Sequence, residues 1–313
     1  NGTVRRSDAE IVSKDIKFEQ NNILAKRSIA KVGPGMPAAR PVMMSYDINV
    51  GYNTKNNLVK FELPKTETLE DTNTIYLPYS SYKTTIAAAD WDITKKTITM
   101  KGNVANTVFS SLLPEQEGLA FSGSGALYDL NTMALNITGV PYIDVVDSRL
   151  KPAGGKVLIK KDGNMDKLLA ARLEVDSVSA SHVFANANIK VISKNNYQGD
   201  AQYNFVNALG DTTKLKITSF DIVENKETGL GKVKGFYTTA KAAISEKDRF
   251  MITPKMQFRG EISMIAGDPS LSLDGGIKPF IKKRRDLNNW IPYKGKNTDG
   301  VRVEINDQLT TDL

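Results

Sequence analysis

Apolar residues in this chain recur at every second position, in runs that are broken before they grow long. Ile98-Thr99-Met100, Leu135-Asn136-Ile137, Ile189-Lys190-Val191 and Leu215-Lys216-Ile217 each set two apolar side chains two apart. Successive side chains of a strand point to opposite faces, so this spacing belongs to a strand with one dry and one wet face. Between the runs lie Asn53-Thr54-Lys55-Asn56-Asn57, Lys161-Asp162-Gly163-Asn164, Lys194-Asn195-Asn196 and Asp274-Gly275-Gly276. These residues tolerate positive φ or hydrogen-bond their own backbone, and so favour turns. Many short strands at regular turn spacing predict an all-β sandwich, barrel or stacked array. Helix signals are few. Ser7-Asp8-Ala9-Glu10 has the form of a capping box, but the alternation through Ile16 and Phe18, with Asn21-Asn22 before Ile23-Leu24, reads as strand–turn–strand. Short helical turns are expected around Met165–Ala171 and Ala240–Glu246.

One stretch occurs twice. Ala89-Asp90-Trp91-Asp92-Ile93 through Ile98-Thr99-Met100-Lys101-Gly102 matches Ala126-Leu127-Tyr128-Asp129-Leu130 through Leu135-Asn136-Ile137-Thr138-Gly139 at a constant offset of 37 residues. The shared pattern is Ala, then aromatic-Asp-aliphatic, a polar turn, two aliphatics two apart, and Gly. Looser copies run from Tyr52 to Phe61 and from Tyr203 to Ile217. Each copy is a hairpin, and a lone hairpin cannot bury its apolar face, so the copies are expected to stack as neighbours. Trp91 and Tyr128 then belong to the core. Ile98, Met100, Leu135 and Ile137 occupy equivalent positions and form one apolar stripe. Burying an aliphatic side chain contributes ~1.5–3 kcal/mol, so the stripe must face either a core or a ligand. The expectation taken here is a ligand-binding groove.

Charge and composition limit the chemistry. The 313 residues hold 42 Lys and Arg against 35 Asp and Glu, a formal net charge of +7 spread along the chain. That balance suits a solvated surface or an anionic partner, and no nucleic-acid partner is expected. Cysteine is absent, which excludes disulfides, thiolate metal sites and a thiol nucleophile. No apolar run approaches the ~20 residues of a membrane-spanning helix, and Asn1–Arg6 lacks the apolar core of a signal peptide. His182 is the only histidine. A Ser-His-Asp triad would have to use it, yet no nucleophile-elbow sequence lies near, and it reads as structural or surface. Asp144 and Asp147 lack the spacing of a calcium loop, and Gly123-Ser124-Gly125 reads as a turn. No catalytic residue, metal site or cofactor is assigned. Lys282-Lys283-Arg284-Arg285, followed by Trp290 and Tyr293, is the sharpest charge feature, a candidate anion-binding or headgroup patch with aromatic anchors.

The breaks at Gly33-Pro34-Gly35-Met36-Pro37, at Gly154-Gly155 and at the basic stretch divide the chain into four segments. They are an N-terminal strand pair (1–35), a repeat-bearing β module (36–153), a second β module (154–281) and a basic C-terminal segment (282–313).

Ala9-Glu10-Ile11-Val12-Ser13-Lys14-Asp15-Ile16-Lys17-Phe18-Glu19, with Asn21-Asn22-Ile23-Leu24-Ala25, resembles the strand pairs of OstA-type β-jelly-roll modules of lipopolysaccharide-transport proteins. The segments beginning at Ala89 and Ala126 share that style. Gly139-Val140-Pro141-Tyr142-Ile143, with Gly154-Gly155-Lys156-Val157-Leu158-Ile159, is similar to long envelope proteins of Bacteroidota. The resemblance touches about half the chain in discontinuous pieces. It departs from a compact transport module in length and in extra segments such as Tyr142–Ser148 and Phe236–Arg259. It implies an elongated stack of antiparallel hairpins, a folded-over sheet of OstA-like jelly-roll form, whose ends pair with like modules. It further implies a non-catalytic protein of the periplasm or outer envelope of a Gram-negative bacterium, with a lipid or lipopolysaccharide-like amphiphile as partner. The alternatives are a structural or adhesive surface protein and a carbohydrate-active β-solenoid enzyme.

Overall fold

A computed structural model describes residues 2–33, 40–64, 74–207, 209–225, 235–280 and 288–302. The fold is all-β: the described residues form twenty-seven strands in antiparallel sheets, and the remaining regular structure is four short 3-10 turns. The helical turns expected at Met165–Ala171 and Ala240–Glu246 are overturned. Leu168–Val175 and Gly235–Ile244 are strands, and a 3-10 turn follows only at Glu246–Asp248. The alanines there lie across from large partners, Ala240 opposite Met264 and Ala242 opposite Ile262. Packing on a pleated surface has overridden their helix propensity.

Contacts divide the chain into two compact units. The first comprises Asn1–Ile143, Lys151–Leu168 and Val191–Lys194; the second comprises Asp144–Leu150, Leu169–Lys190 and Asn195–Leu313.

The first unit is one fifteen-stranded sheet curled on itself. Its spine is the pair Asn22–Val32 and Met43–Asn53, where the register slips twice between Ala25 and Ala30. Arg27 sits there at φ 48°, and the Ser28 hydroxyl donates to the Ile48 carbonyl at 2.5 Å. Such bulges bend a strand and raise its twist. Beyond the spine the sheet forks. Met44 pairs with Tyr76 and leads into a short arm of Ile75–Leu77, Tyr82–Thr84, Val108–Ser111 and Ala120–Ser122. Asn49–Asn53 pairs with Leu58–Glu62 and leads into a long arm of Ala88–Asp92, Thr97–Lys101, Gly125–Asp129, Ala134–Thr138 and Val157–Ile159. The chain steps between the arms after Thr84, Lys101 and Ser122. Phe109 of the short arm and Ile137 of the long arm meet at Gly123, where an added Cβ would lie 3.1 and 2.9 Å from them.

The repeated hairpins lie side by side in the long arm, with Ile98 opposite Tyr128 and Met100 opposite Ala126. Directly opposed residues share a face, so two rows cross the sheet. One runs Tyr52–Val59–Trp91–Ile98–Tyr128–Leu135–Ile159. The other runs Val50–Phe61–Ala89–Met100–Ala126–Ile137–Val157. The second row explains the repeat's alanines, since Ala89 and Ala126 alternate with Phe61, Met100 and Ile137. The turns stack too. Asn53, Asp92 and Asp129 each accept a backbone N–H of their own turn through the side chain, from Asn56, Lys95 and Asn131 at 2.9, 2.9 and 2.8 Å. Those bonds come first among the causes that hold the Asp92 and Asp129 carboxyls below the usual carboxylate range. Each turn ends at positive φ, at Asn57, Lys96 and Met133. Asn57 and Lys96 pass their carbonyls to the next turn, to Ile93 N and Leu130 N at 3.1 and 3.0 Å. The Met133 carbonyl instead accepts the Ser80 hydroxyl at 3.1 Å, which closes the row.

The second unit packs two six-stranded sheets. One contains His182–Ser193, Asn196–Val206 and Thr212–Ile217; the other contains Ser219–Asn225, Gly235–Ile244, Met256–Ile265, Ser272–Pro279 and Ile291–Lys296. Aromatic pairs bridge them, with ring centroids 5.2 Å apart for Phe184 and Phe220 and 4.9 Å for Phe205 and Phe250.

Lys96 holds φ 55° without the freedom of glycine. The left-handed region costs an L-residue roughly 1–2 kcal/mol, and glycine's greater chain entropy returns about 0.5–1 kcal/mol of that. Lys96→Gly is therefore expected to raise stability by up to about 1 kcal/mol. Lys96→Val is expected to lower it, and urea unfolding of both variants is the check.

Candidate functional site

The apolar stripe is core and not a groove. Ile98, Met100, Leu135 and Ile137 are 0–1% exposed, covered by protein on the sheet's inner face. An acyl-chain groove would leave such side chains open when empty. The short arm closes over them instead, with Phe109 and Phe121 stacked 6.2 Å apart and Tyr82 beside Phe121. Burial raises the Tyr82 phenol well above its ordinary value, and it raises Tyr128 to about 12. Around Phe184 the second unit is closely packed as well. Phe184, Tyr203, Leu215, Ile217, Ala240, Ile262 and Met264 enclose a void of about 10 Å³, at the lower limit for a single water. The basic candidates Lys282, Lys283, Arg284 and Arg285 lie outside the described residues.

His182 is fully buried and both its nitrogens are engaged. Nε2 lies 2.6 Å from the Asp268 carbonyl, which can only accept, so Nε2 carries the proton. Nδ1 then accepts from the Tyr203 hydroxyl at 3.2 Å. This imidazole bridges the sheets and is not available as a base. A second buried polar group surrounds Asp147. Its carboxylate accepts from Thr238 N at 2.9 Å, Thr238 Oγ1 at 2.6 Å and Ser148 Oγ at 3.0 Å. The Tyr197 hydroxyl meets Thr238 Oγ1 and Ser148 Oγ at 3.0 and 3.2 Å. Desolvation pushes the Tyr197 phenol up. Ser148, Tyr197 and Thr238 are at most 1% exposed while Asp147 is half-buried, and this Ser–Asp–Tyr set ties strands together. Among the described residues no group of three His, Cys, Asp or Glu side chains is placed to hold a metal ion.

Several described strands pair along one side only, and Asp15–Phe18 of the first unit is one of them. Asn22–Val32 pairs along one side with Ala9–Ser13 and, further on, with Asp15–Phe18. Gly2–Arg6 pairs with Ala9–Ser13, with Gly2 opposite Ser13 and the Ile16 side chain 3.0 Å from where a Cβ on Gly2 would stand. The outer side of Asp15–Phe18 pairs with no described strand. Phe18 is 68% exposed at the end of the row that continues through Ile23 and Tyr52. Asp15 and Lys17 share the face that Ile16 does not, and Lys17 pairs with Glu19 at 2.8 Å. Sequence reading found this strand but not its exposure. The available signal is the alternation of charges within Asp15-Ile16-Lys17, the composition by which edge strands resist indiscriminate pairing.

Comparison with known proteins gives no match: no family model, no curated protein and no solved structure matches the chain.

Two outcomes follow from this geometry. Leu135→Ala is expected to cost about 2–5 kcal/mol of stability, the range for a large-to-small change in a packed core that cannot collapse; denaturant unfolding measures it. Burial holds the His182 pKa below its ordinary value, with the Asp268 carbonyl opposing. As pH falls below about 6.5 the unfolded chain takes up a proton that the folded chain refuses, so stability declines until the lower folded pKa is reached. Above that range His182 contributes no pH dependence. His182→Gln is expected to be less stable at pH 8, with a flatter decline between pH 7 and 5, as read by thermal melts across that range.

Proposed function

We propose that this chain is a non-catalytic β-scaffold protein of the cell envelope that works by strand pairing between like modules, and not by enclosing a lipid. The observation that carries this reading is the order of side chains on Asp15–Phe18, a strand that pairs along one side only among the described residues. Place a second copy antiparallel to it, centred on Ile16. Asp15 then stands opposite Lys17 of the other copy, and the same pair recurs across the two-fold axis. Opposite charges directly across a strand pair contribute roughly 0.2–1 kcal/mol each, and the free backbone groups supply the ladder. Such a contact is self-complementary, as a two-fold interface must be. Phe18 adds apolar area beside it.

The tight interiors of both units support a scaffold over a carrier. The engagement of both His182 nitrogens supports a non-catalytic role. Placement in the envelope rests on the resemblance of residues 9–25 and of the Ala89 and Ala126 hairpins to OstA-type modules. Sedimentation at rising protein concentration is expected to show reversible dimers. Asp15→Lys puts like charges across the pair and is expected to weaken the dimer. Asp15→Lys with Lys17→Asp restores opposite charges and is expected to recover it. A chain that stays monomeric throughout, or a dimer indifferent to both variants, would overturn the proposal.

A further inference from the structure

A second surface feature of the first unit, sharing no residue with the Asp15–Phe18 edge, has the makings of a ligand site. Arg40, Tyr79, Ser81, Lys160, Lys161 and Asp162 line an open cleft of about 590 Å³. Its three cations face one carboxylate, and that carboxylate is turned into its own loop. Asp162 accepts from Asn164 N and Nδ2 at 3.0 and 2.8 Å. Lys160 has a partner in Asp166 at 2.8 Å, a pair whose members are both about half exposed and which is therefore weak and exchangeable. Arg40 and Lys161 have no carboxylate partner among the described residues. They gather at one ring instead, with the Arg40 guanidinium carbon 5.2 Å and Lys161 Nζ 5.6 Å from the Tyr79 centroid.

The fold holds these groups in place from beneath. Tyr79 rides on the 3-10 turn Pro78–Ser80, which Ser81 ends in the left-handed conformation. The Ser80 hydroxyl fixes that turn to Met133 of the hairpin stack. The lysines sit on the turn that Lys160 N closes with the Asn164 carbonyl and Gly163 N closes with the Lys160 carbonyl, both at 2.9 Å. Gly163, at φ +81°, presses against the first turn, and a Cβ there would lie 3.0 Å from the Ser80 carbonyl and 2.7 Å from Leu113. Buried Gln116 then donates to the Gly163 carbonyl at 3.1 Å. Arg40 Nη2 donates to the Pro78 carbonyl at 2.5 Å, which sets the direction of the guanidinium fork. Two turns far apart in sequence are thus locked together with their cations on the outside.

We propose that this cleft binds a phosphate monoester, with Arg40 and Lys161 as its principal counter-charges and Lys160 as a third once Asp166 yields. A dianion with three terminal oxygens matches three cationic donors, one a planar fork and two point charges, where a carboxylate offers a single charge and two oxygens. A lipid headgroup and a soluble sugar phosphate share this chemistry.

The probes are glucose 1-phosphate, glucose, and vesicles of phosphatidylcholine with or without phosphatidic acid, used at low salt with the whole chain. Calorimetry is expected to detect glucose 1-phosphate but not glucose. Arg40→Gln and Lys161→Ala are each expected to weaken binding about tenfold or more, the equivalent of one charge-assisted hydrogen bond. Lys55→Ala, an exposed lysine elsewhere, should leave it unchanged, and unaltered thermal melts confirm that each variant folds. Co-sedimentation that needs phosphatidic acid and is lost in the same two variants assigns a lipid headgroup. Binding of the soluble ester with no vesicle response assigns a soluble ligand. The proposal is overturned if glucose 1-phosphate and the acidic vesicles both fail to bind. It is equally overturned if the cleft variants bind as the wild type does, or if Lys55→Ala loses binding as they do.

Discussion

Two rows of side chains cross the long arm of the first unit, and each member is in place because of the member on the next strand. Trp91 lies between Val59 and Ile98, and Tyr128 between Ile98 and Leu135. In the other row small residues separate large ones, with Ala89 between Phe61 and Met100 and Ala126 between Met100 and Ile137. Interiors are packed as tightly as organic crystals, so a change of volume at one rung is felt at both neighbours. The short arm meets the same surface at Gly123, where Phe109 lies beside Ile137. The bulge at Arg27–Ala30 lies on the spine from which both arms depart, and bulges bend the strand that carries them.

The second unit is held by a different balance of forces. Aromatic rings bridge its sheets, but a buried polar knot around Asp147 and a bridging histidine fix their alignment. Buried polar groups stabilise only when each is satisfied, and the Asp147 oxygens, Ser148, Tyr197 and Thr238 all find partners. Trp91 in the first unit is the contrasting case. Its indole nitrogen is buried with no partner among the described residues, an omission that costs about 1–3 kcal/mol. Its place is explained by the area it covers between Val59 and Ile98.

Period and turn chemistry are local properties, and what they govern was legible in the sequence. The alternation around Ile98 and Leu135 announced strands, and the 37-residue offset announced neighbouring hairpins that pair side by side. Even the stacked turns are written in Asn53, Asp92 and Asp129. The fate of the apolar stripe was not legible, because period 2 reports that one face is dry without saying what dries it. Here Phe109, a residue that belongs to no repeat, meets Ile137 at Gly123. The alanines of Ala240–Ile244 misled for a related reason, since their partners Met264 and Ile262 lie more than a turn away in sequence. The cleft at Tyr79 was invisible for the same cause: Arg40 and Lys161 become neighbours only after the arms have folded. His182 was readable as structural, though not its partners Tyr203 and Asp268.

The two ends of the hairpin stack are chemically unequal. At one end the last turn's carbonyl is consumed by Ser80, and strand Val157–Ile159 is followed at once by its own bridge from Ile159 to Met165. At the other end the stack continues without a break into the spine strands Met43–Asn53 and Asn22–Val32. The Ser80 hydroxyl, a single small group, thus ends the run of turn-to-turn bonds and ties the stack to the turn that carries Tyr79.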